Sequence, residues 1–243
     1  MTRLSGKVAL VTGAAQGMGA AHARAIVDDG GSVVLADIGD EAGRQLAASL
    51  GQRARYVHLD VTSATDWSAA VTVAVDTFGA LNVLVNNAGI INWGAVGEYT
   101  HQQWNDILAV NLTGAYLGIE AARDALIASA PSSVINISST SGFEGVPGMH
   151  GYVASKWGLR GLTKSLALEL GAFGIRVNSV HPGTIATPMT TGMGVTGDHG
   201  ALHRLGEPAE VASMVTYLAS DESGYCTGSE FVVDGGQLAG QTG

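Results

Sequence analysis

The chain has 243 residues, of which 46% are hydrophobic and 14% charged, with a formal net charge of −9 and one cysteine, Cys226. That length suits one large α/β unit with a sizeable core, and the acidic balance argues against nucleic acid and anionic membranes as partners. A lone cysteine forms no intrachain disulfide, residues 1–7 hold no apolar leader and no run approaches ~20 apolar residues, so a cytoplasmic chain without a membrane span is expected.

Residues 7–11 form a short β-branched apolar run ending at Thr12-Gly13, the pattern of a strand buried on both faces. A glycine-rich turn leads into a helix over 20–27, and residues 32–36 form a second strand ending at Asp37. The rhythm continues with a helix over 40–50, a strand over 55–59, and a helix over 63–78 with Ser63 or Thr65 as N-cap. Next come a strand over 81–85, a long helix from about 101 to 128, and a strand over 133–137. A helix over 152–170, a strand over 175–180, a helix over 207–219 opened by Pro208 and a strand over 230–233 complete the series. Strands alternating with helices predict an α/β fold, a Rossmann-type doubly wound parallel sheet of seven strands with helices on both faces. No linker divides it, so a single domain is expected over residues 1–243.

Ligands of such a sheet bind beyond the carboxyl ends of its strands. Between the first strand and helix stand Gly13, Gln16, Gly17, Met18 and Gly19, whose glycines let backbone N–H groups approach a pyrophosphate at the helix N-terminus. Asp37 follows about 20 residues on, where a carboxylate accepts hydrogen bonds from ribose hydroxyls. Neither Gln16 nor Ile38 offers a cation to a 2′-phosphate, so NAD(H) is expected over NADP(H). Asp60, with Val61 after it, ends the third strand and would hold the adenine amino group or serve as a turn carboxylate. Asn87, Ala88 and Gly89 end the fourth.

Tyr152 and Lys156 are one helical turn apart, on one face. A free tyrosine has a pKa of about 10, and lowering it by ~3 units takes about 4 kcal/mol in favour of the phenolate. An ammonium at ~4 Å and an effective dielectric of ~20 supplies about that much. With the Ser138-Ser139 hydroxyls upstream, the spacing describes a proton-transfer device.

These features together resemble the short-chain dehydrogenase/reductase family along nearly the whole chain: Thr12-Gly13-x-x-x-Gly17-x-Gly19, Asn86-Asn87-Ala88-Gly89, Asn111, Ser139, Tyr152-x-x-x-Lys156 and Pro182-Gly183. Within the family, Leu4-Ser5-Gly6-Lys7, the stretch over 55–62 and the stretch over 175–183 are most similar to the bacterial 3α/20β-hydroxysteroid dehydrogenases. The resemblance implies Tyr152 as general acid/base, Ser139 polarising the substrate oxygen, Lys156 lowering the Tyr152 pKa and binding the nicotinamide ribose, and Asn111 holding a relay water. It also implies a nicotinamide cradle from Pro182, Gly183, Ile185 and Thr187, and subunit contacts at residues 234–236 of a homotetramer, for which the low charge density also argues.

The substrate end would be lined by Ile91, Trp93, Thr140, Phe143, Val146, Met149, Thr184, Met189 and Met193, a set suited to a bulky apolar ketone or secondary alcohol. Residues 184–205 are glycine-rich and read as a lid. Asp198, His199 and His203 could ligate a metal, but the flanking Gly197 and Gly200 make a rigid ligand set unfavourable, and no metal is expected. Two other functions compete: a 3-oxoacyl-carrier-protein reductase-like enzyme, and a catalytically silent nucleotide-binding redox sensor.

Overall fold

Seven parallel strands form one sheet: β1 (Val8–Thr12), β2 (Ser32–Asp37), β3 (Ala54–His58), β4 (Val83–Asn86), β5 (Ser132–Ile137), β6 (Ile175–Pro182) and β7 (Glu230–Val233), in the order β3-β2-β1-β4-β5-β6-β7. The computed structural model describes residues 2–191 and 200–240. Side chains alternate across the sheet. Ala9 and Val11 of β1 pack in a core with Ala23 and Ile26 of α1 (Gly17–Asp28), Leu46 of α2 (Asp40–Leu50) and Val211 and Val215 of α7 (Pro208–Ala219). Val8 and Leu10 face the opposite core, shared with Trp67 of α3 (Ala64–Phe78), Ile119 of α5 (Gly114–Ala128) and Leu170 of α6 (His150–Leu170). Burial on both faces explains why β1 reads as an unbroken apolar run. Each such aliphatic side chain contributes roughly 1.5–3 kcal/mol by its removal from water.

Because the order reverses between β1 and β4, the β1–α1 and β4 connections diverge there and leave a crevice. Local signals set the ends of the elements around it. Ser63 caps α3 by accepting from the Asp66 N–H at 3.2 Å, which decides between the two predicted caps, and Gly79 closes that helix at φ +82°. Helix α1 begins at Gly17, inside the glycine turn rather than after it, so its first amides face the crevice. The predicted long helix over 101–128 is α4 (His101–Leu108), one π turn over Ala109–Thr113, and α5. The π turn carries Asn111 into the interior. Among the described residues, no helix is long and apolar enough to cross a membrane.

Gly118 of α5 lies flush on Trp67, and a Cβ there would stand 2.5 Å from the indole, which is fully buried. Gly118→Ala should therefore cost about 1–3 kcal/mol through overpacking, read as a lowered urea midpoint with an unchanged slope.

Candidate active site

The crevice at the switch point is a cleft of about 610 Å³. Its walls hold Gly13, Gln16, Gly17, Met18 and Gly19 from the β1–α1 turn, Asp37 and Ile38 from β2, Asp60 and Val61 after β3, Asn87, Ala88 and Gly89 after β4, and Thr187 and Met189 beyond β6. Gly17 sits at φ +55°, where side chains are strained, and a Cβ on Gly19 would fall on the Gly13 carbonyl oxygen. The bare turn exposes the N-terminus of α1 as an anion site. Asp37 accepts from the Ala15 and Gly39 N–H groups at 2.9 and 2.8 Å, and a carboxylate has lone pairs left for two more donors. Asp60 uses Oδ1 to close a turn onto the Thr62 N–H and hydroxyl, at 2.9 and 2.7 Å, while also lining the cleft. A dinucleotide fits these features: glycine-lined amides, a helix terminus and a carboxylate one strand away.

Beneath the turn, Asn87 donates to the carbonyls of Thr12 and Gly13 at 2.8 and 3.3 Å. The buried His22 of α1 faces it, and burial pushes that imidazole down to about 3.

At the carboxyl end of β5, Ser138 and Ser139 part company. Ser138 is buried and donates to the Lys156 carbonyl at 3.1 Å, whereas Ser139 stays partly open, its Oγ accepting from the Ser141 N–H at 3.1 Å. The Lys156 ammonium lies 5.4 Å from the Tyr152 ring centroid and donates to the Ile137 carbonyl at 2.9 Å. It also reaches the cleft wall, since a Cβ on Gly89 would stand 3.7 Å from Nζ. Burial raises the Tyr152 phenol above its ordinary value, with the Ser139 hydroxyl opposing, and the same cause lowers Lys156 to about 8. Burial disfavours the phenolate and the ammonium alike. Asn111, 2% exposed, accepts from the Ile90 N–H at 2.8 Å and donates to the Ile90 carbonyl and to Ser155, at 3.0 and 3.2 Å. Both of its amide hydrogens are therefore engaged with protein.

A family model described as Enoyl-(Acyl carrier protein) reductase matches residues 13–237. The chain belongs to the short-chain dehydrogenase/reductase family. It is 56% identical to the 3-alpha-(or 20-beta)-hydroxysteroid dehydrogenase of Mycobacterium tuberculosis over 98% of this chain and 92% of that protein. It is 45% identical to the trans-4-hydroxycyclohexanecarboxylate dehydrogenase of Sinomonas cyclohexanicum, covering 98% and 95% of the two chains. Against the cyclopentanol dehydrogenase of Comamonas testosteroni the identity is 39%, covering 98% and 100%.

The other residues expected at this family site are spread more widely. Pro182 and Ile185 are buried, Gly183 pairs with the Val233 carbonyl, and Thr184 and Ile185 border a separate recess behind β7, while Thr187 alone of the expected nicotinamide cradle reaches the cleft wall. Trp93 is half exposed beside Gly148, Val146 and Ile91 are partly buried, and Met149 and Thr140 are buried. Phe143 packs between the His181 ring and the Arg160 guanidinium. His203 is exposed, and Met193, Asp198, His199 and the centre of the expected lid lie outside the described residues. Sequence reasoning missed Leu59, Thr62, Ile90, Asp106, Ala109, Val110 and Pro188 as cleft residues. Ala109 and Val110 lie in the π turn, whose register no pattern in the sequence marks.

Burial holds His22 at about 3 and His181 at about 4. Both are uncharged in the folded chain and take up protons on unfolding below pH ~6.5, so their stabilisation is complete above that pH and declines as pH falls. Urea midpoints should decrease from pH 7 to pH 5, and His22→Gln should flatten that decrease.

Proposed function

We propose that this protein is an NAD(H)-dependent oxidoreductase interconverting a bulky cyclic secondary alcohol and its ketone, a hydroxysteroid of the 3α/20β type or a ring alcohol of similar shape. The observation that carries the reading is the convergence of Ser139, Tyr152 and Lys156 beside Gly89, a wall residue of the glycine-lined cleft. The relatives support the substrate class, since their names describe a hydroxysteroid, a hydroxycyclohexane acid and cyclopentanol. Exposed Ile90, Trp93 and Met189 offer a large apolar substrate an apolar rim.

In the reducing direction, the Tyr152 O–H gives its proton to the ketone oxygen while the Ser139 hydroxyl hydrogen-bonds that same oxygen. Bound NADH supplies the hydride that adds to the carbonyl carbon. Proton and hydride together yield the alcohol and leave a phenolate at Tyr152. Burial makes that anion costly, and Lys156 offsets the cost by bringing a positive charge to the same desolvated space. Because both Asn111 amide hydrogens are donated to Ile90 and Ser155, a relay water would donate to an Asn111 oxygen rather than accept from its side chain.

The preference for NAD(H) rests on Asp37. A 2′-phosphate would meet this carboxylate, and the nearby cations are committed elsewhere: Arg44 bonds Asp40 at 2.9 Å and His58 bonds it at 2.7 Å. Exposed Tyr116, Trp157 and Leu168 on α5 and α6 agree with assembly as a homotetramer, which light scattering would read directly.

Tyr152→Phe should lower turnover at least about a thousandfold while the NADH Kd, followed by fluorescence, changes less than twofold. A panel of 3-keto and 20-keto steroids, cyclohexanones, cyclopentanone and acetoacetyl thioesters identifies the substrate. Turnover of the thioester alone would favour a thioester reductase, and no turnover of any carbonyl would favour a nucleotide-binding sensor. Asp37→Ala should narrow the NADH preference over NADPH at least tenfold in kcat/KM; a wild-type preference for NADPH would overturn the cofactor assignment.

A further inference from the structure

Arg160 stands one helical turn beyond Lys156 and two beyond Tyr152, so α6 presents all three along one stripe. Its guanidinium is largely buried and forms a forked pair with Glu230 of β7, Nε to Oε1 at 2.9 Å and Nη2 to Oε2 at 3.3 Å. Such planar two-point pairing fixes the orientation of the group as well as its charge. The remaining Nη1 donates to the Gly142 carbonyl, and the guanidinium plane lies 3.9 Å from the Phe143 ring centroid. Gly142 is pressed against α6 so closely that a Cβ would stand 2.9 Å from the Ser138 hydroxyl and 3.2 Å from Arg160 Cδ.

Gly142 and Phe143 end the tight turn that Ser139 begins. The first end is held from β6: His181 Nδ1 lies 3.1 Å from the Ser139 carbonyl, and Nε2 lies 2.9 Å from the Ser179 hydroxyl. The Ser139 carbonyl only accepts, so the proton of the neutral imidazole is on Nδ1 and Ser179 donates to Nε2. The Phe143 ring packs on that imidazole, with centroids 4.6 Å apart. The turn is thus clamped at both ends by side chains that are themselves locked, and Ser139 Oγ caps its start by accepting from the Ser141 N–H at 3.1 Å.

We propose that Arg160, locked by Glu230, is a positioning residue that fixes the turn presenting the Ser139 hydroxyl to the substrate oxygen. The inference rests on Ser139 and Tyr152 acting as described above. A hydroxyl misplaced by about 1 Å loses catalysis on the order of a hundredfold, while the nucleotide cleft, which Arg160 does not line, is untouched.

A double-mutant cycle tests it, using NADH and the best ketone of the panel with Ser139→Ala, Arg160→Met and the double variant. Arg160→Met should lower kcat ten- to a hundredfold, leave the NADH Kd within twofold, and lower kcat less than threefold further in the Ser139→Ala background. Arg160→Lys, which keeps the charge but not the fork, should recover only part of the loss. Lys164→Met removes the exposed second cation, 3.4 Å from Glu230, and should behave as wild type. Wild-type kcat in Arg160→Met, or an equal loss with and without Ser139, would overturn the proposal. An inactive Ser139→Ala beside a fully active Arg160→Met overturns this inference alone. An active Ser139→Ala, or a wild-type chain that turns over no ketone, overturns the reading of the site and this inference with it. If Arg160→Met does not fold, Glu230→Gln, which keeps the shape and removes the ion pair, takes its place in the cycle with the same outcomes.

Discussion

The bond from the Lys156 ammonium to the Ile137 carbonyl is the interaction around which this site is arranged. A charge that is 4% exposed must find acceptors or lose its proton, and burial has already brought this one to about 8. The bond ties the middle of α6 to the end of β5. That single tether sets Tyr152 one turn earlier on the helix, Ser139 two residues past the strand end, and the ammonium itself against Gly89 of the cleft. The end of β5, the Tyr152 ring and the wall of the glycine-lined cleft meet at this one lysine.

Around it, neutral polar groups do the shaping. Ser155 donates to the Tyr152 carbonyl at 2.7 Å and accepts from Asn111, which in turn holds both polar groups of Ile90. Ser138 ties the same helix through the Lys156 carbonyl. Each buried group satisfied in this way costs little and removes a degree of freedom from a residue that must stay within a few tenths of an ångström of its place. The π turn at Ala109–Thr113 is part of this economy, since it brings Asn111 to the loop after β4.

Under the proposed reaction the site would need a charged partner. Burial opposes the phenolate and the ammonium together, so surroundings that would shelter a hydride transfer also favour the protonated phenol. Ser139 is the neighbour whose hydroxyl opposes that trend at Tyr152. Under the proposed reaction its orientation would matter twice, once for the substrate oxygen and once for the phenol.

Much of this was legible in the sequence. Unbroken apolar runs such as Val8–Thr12, stops at glycine, and carboxylates at strand ends follow from local rules, so the strands and helices fall within a few residues of their expected bounds. The four-residue spacing of Tyr152 and Lys156 is a property of any helix, and so is that of Arg160, whose significance the same spacing did not reveal. What local rules do not contain is which distant atoms meet. Glu230 is 70 residues from Arg160, and His181 is 42 from Ser139. How strongly burial opposes charge on Tyr152 and Lys156 is likewise decided by the chain's neighbours in space. The chain's own order determined the sheet, the glycine turn and the stripe of Tyr152, Lys156 and Arg160; only the packed structure decided the pairings and the burial, because charge and desolvation act through space and not along the sequence.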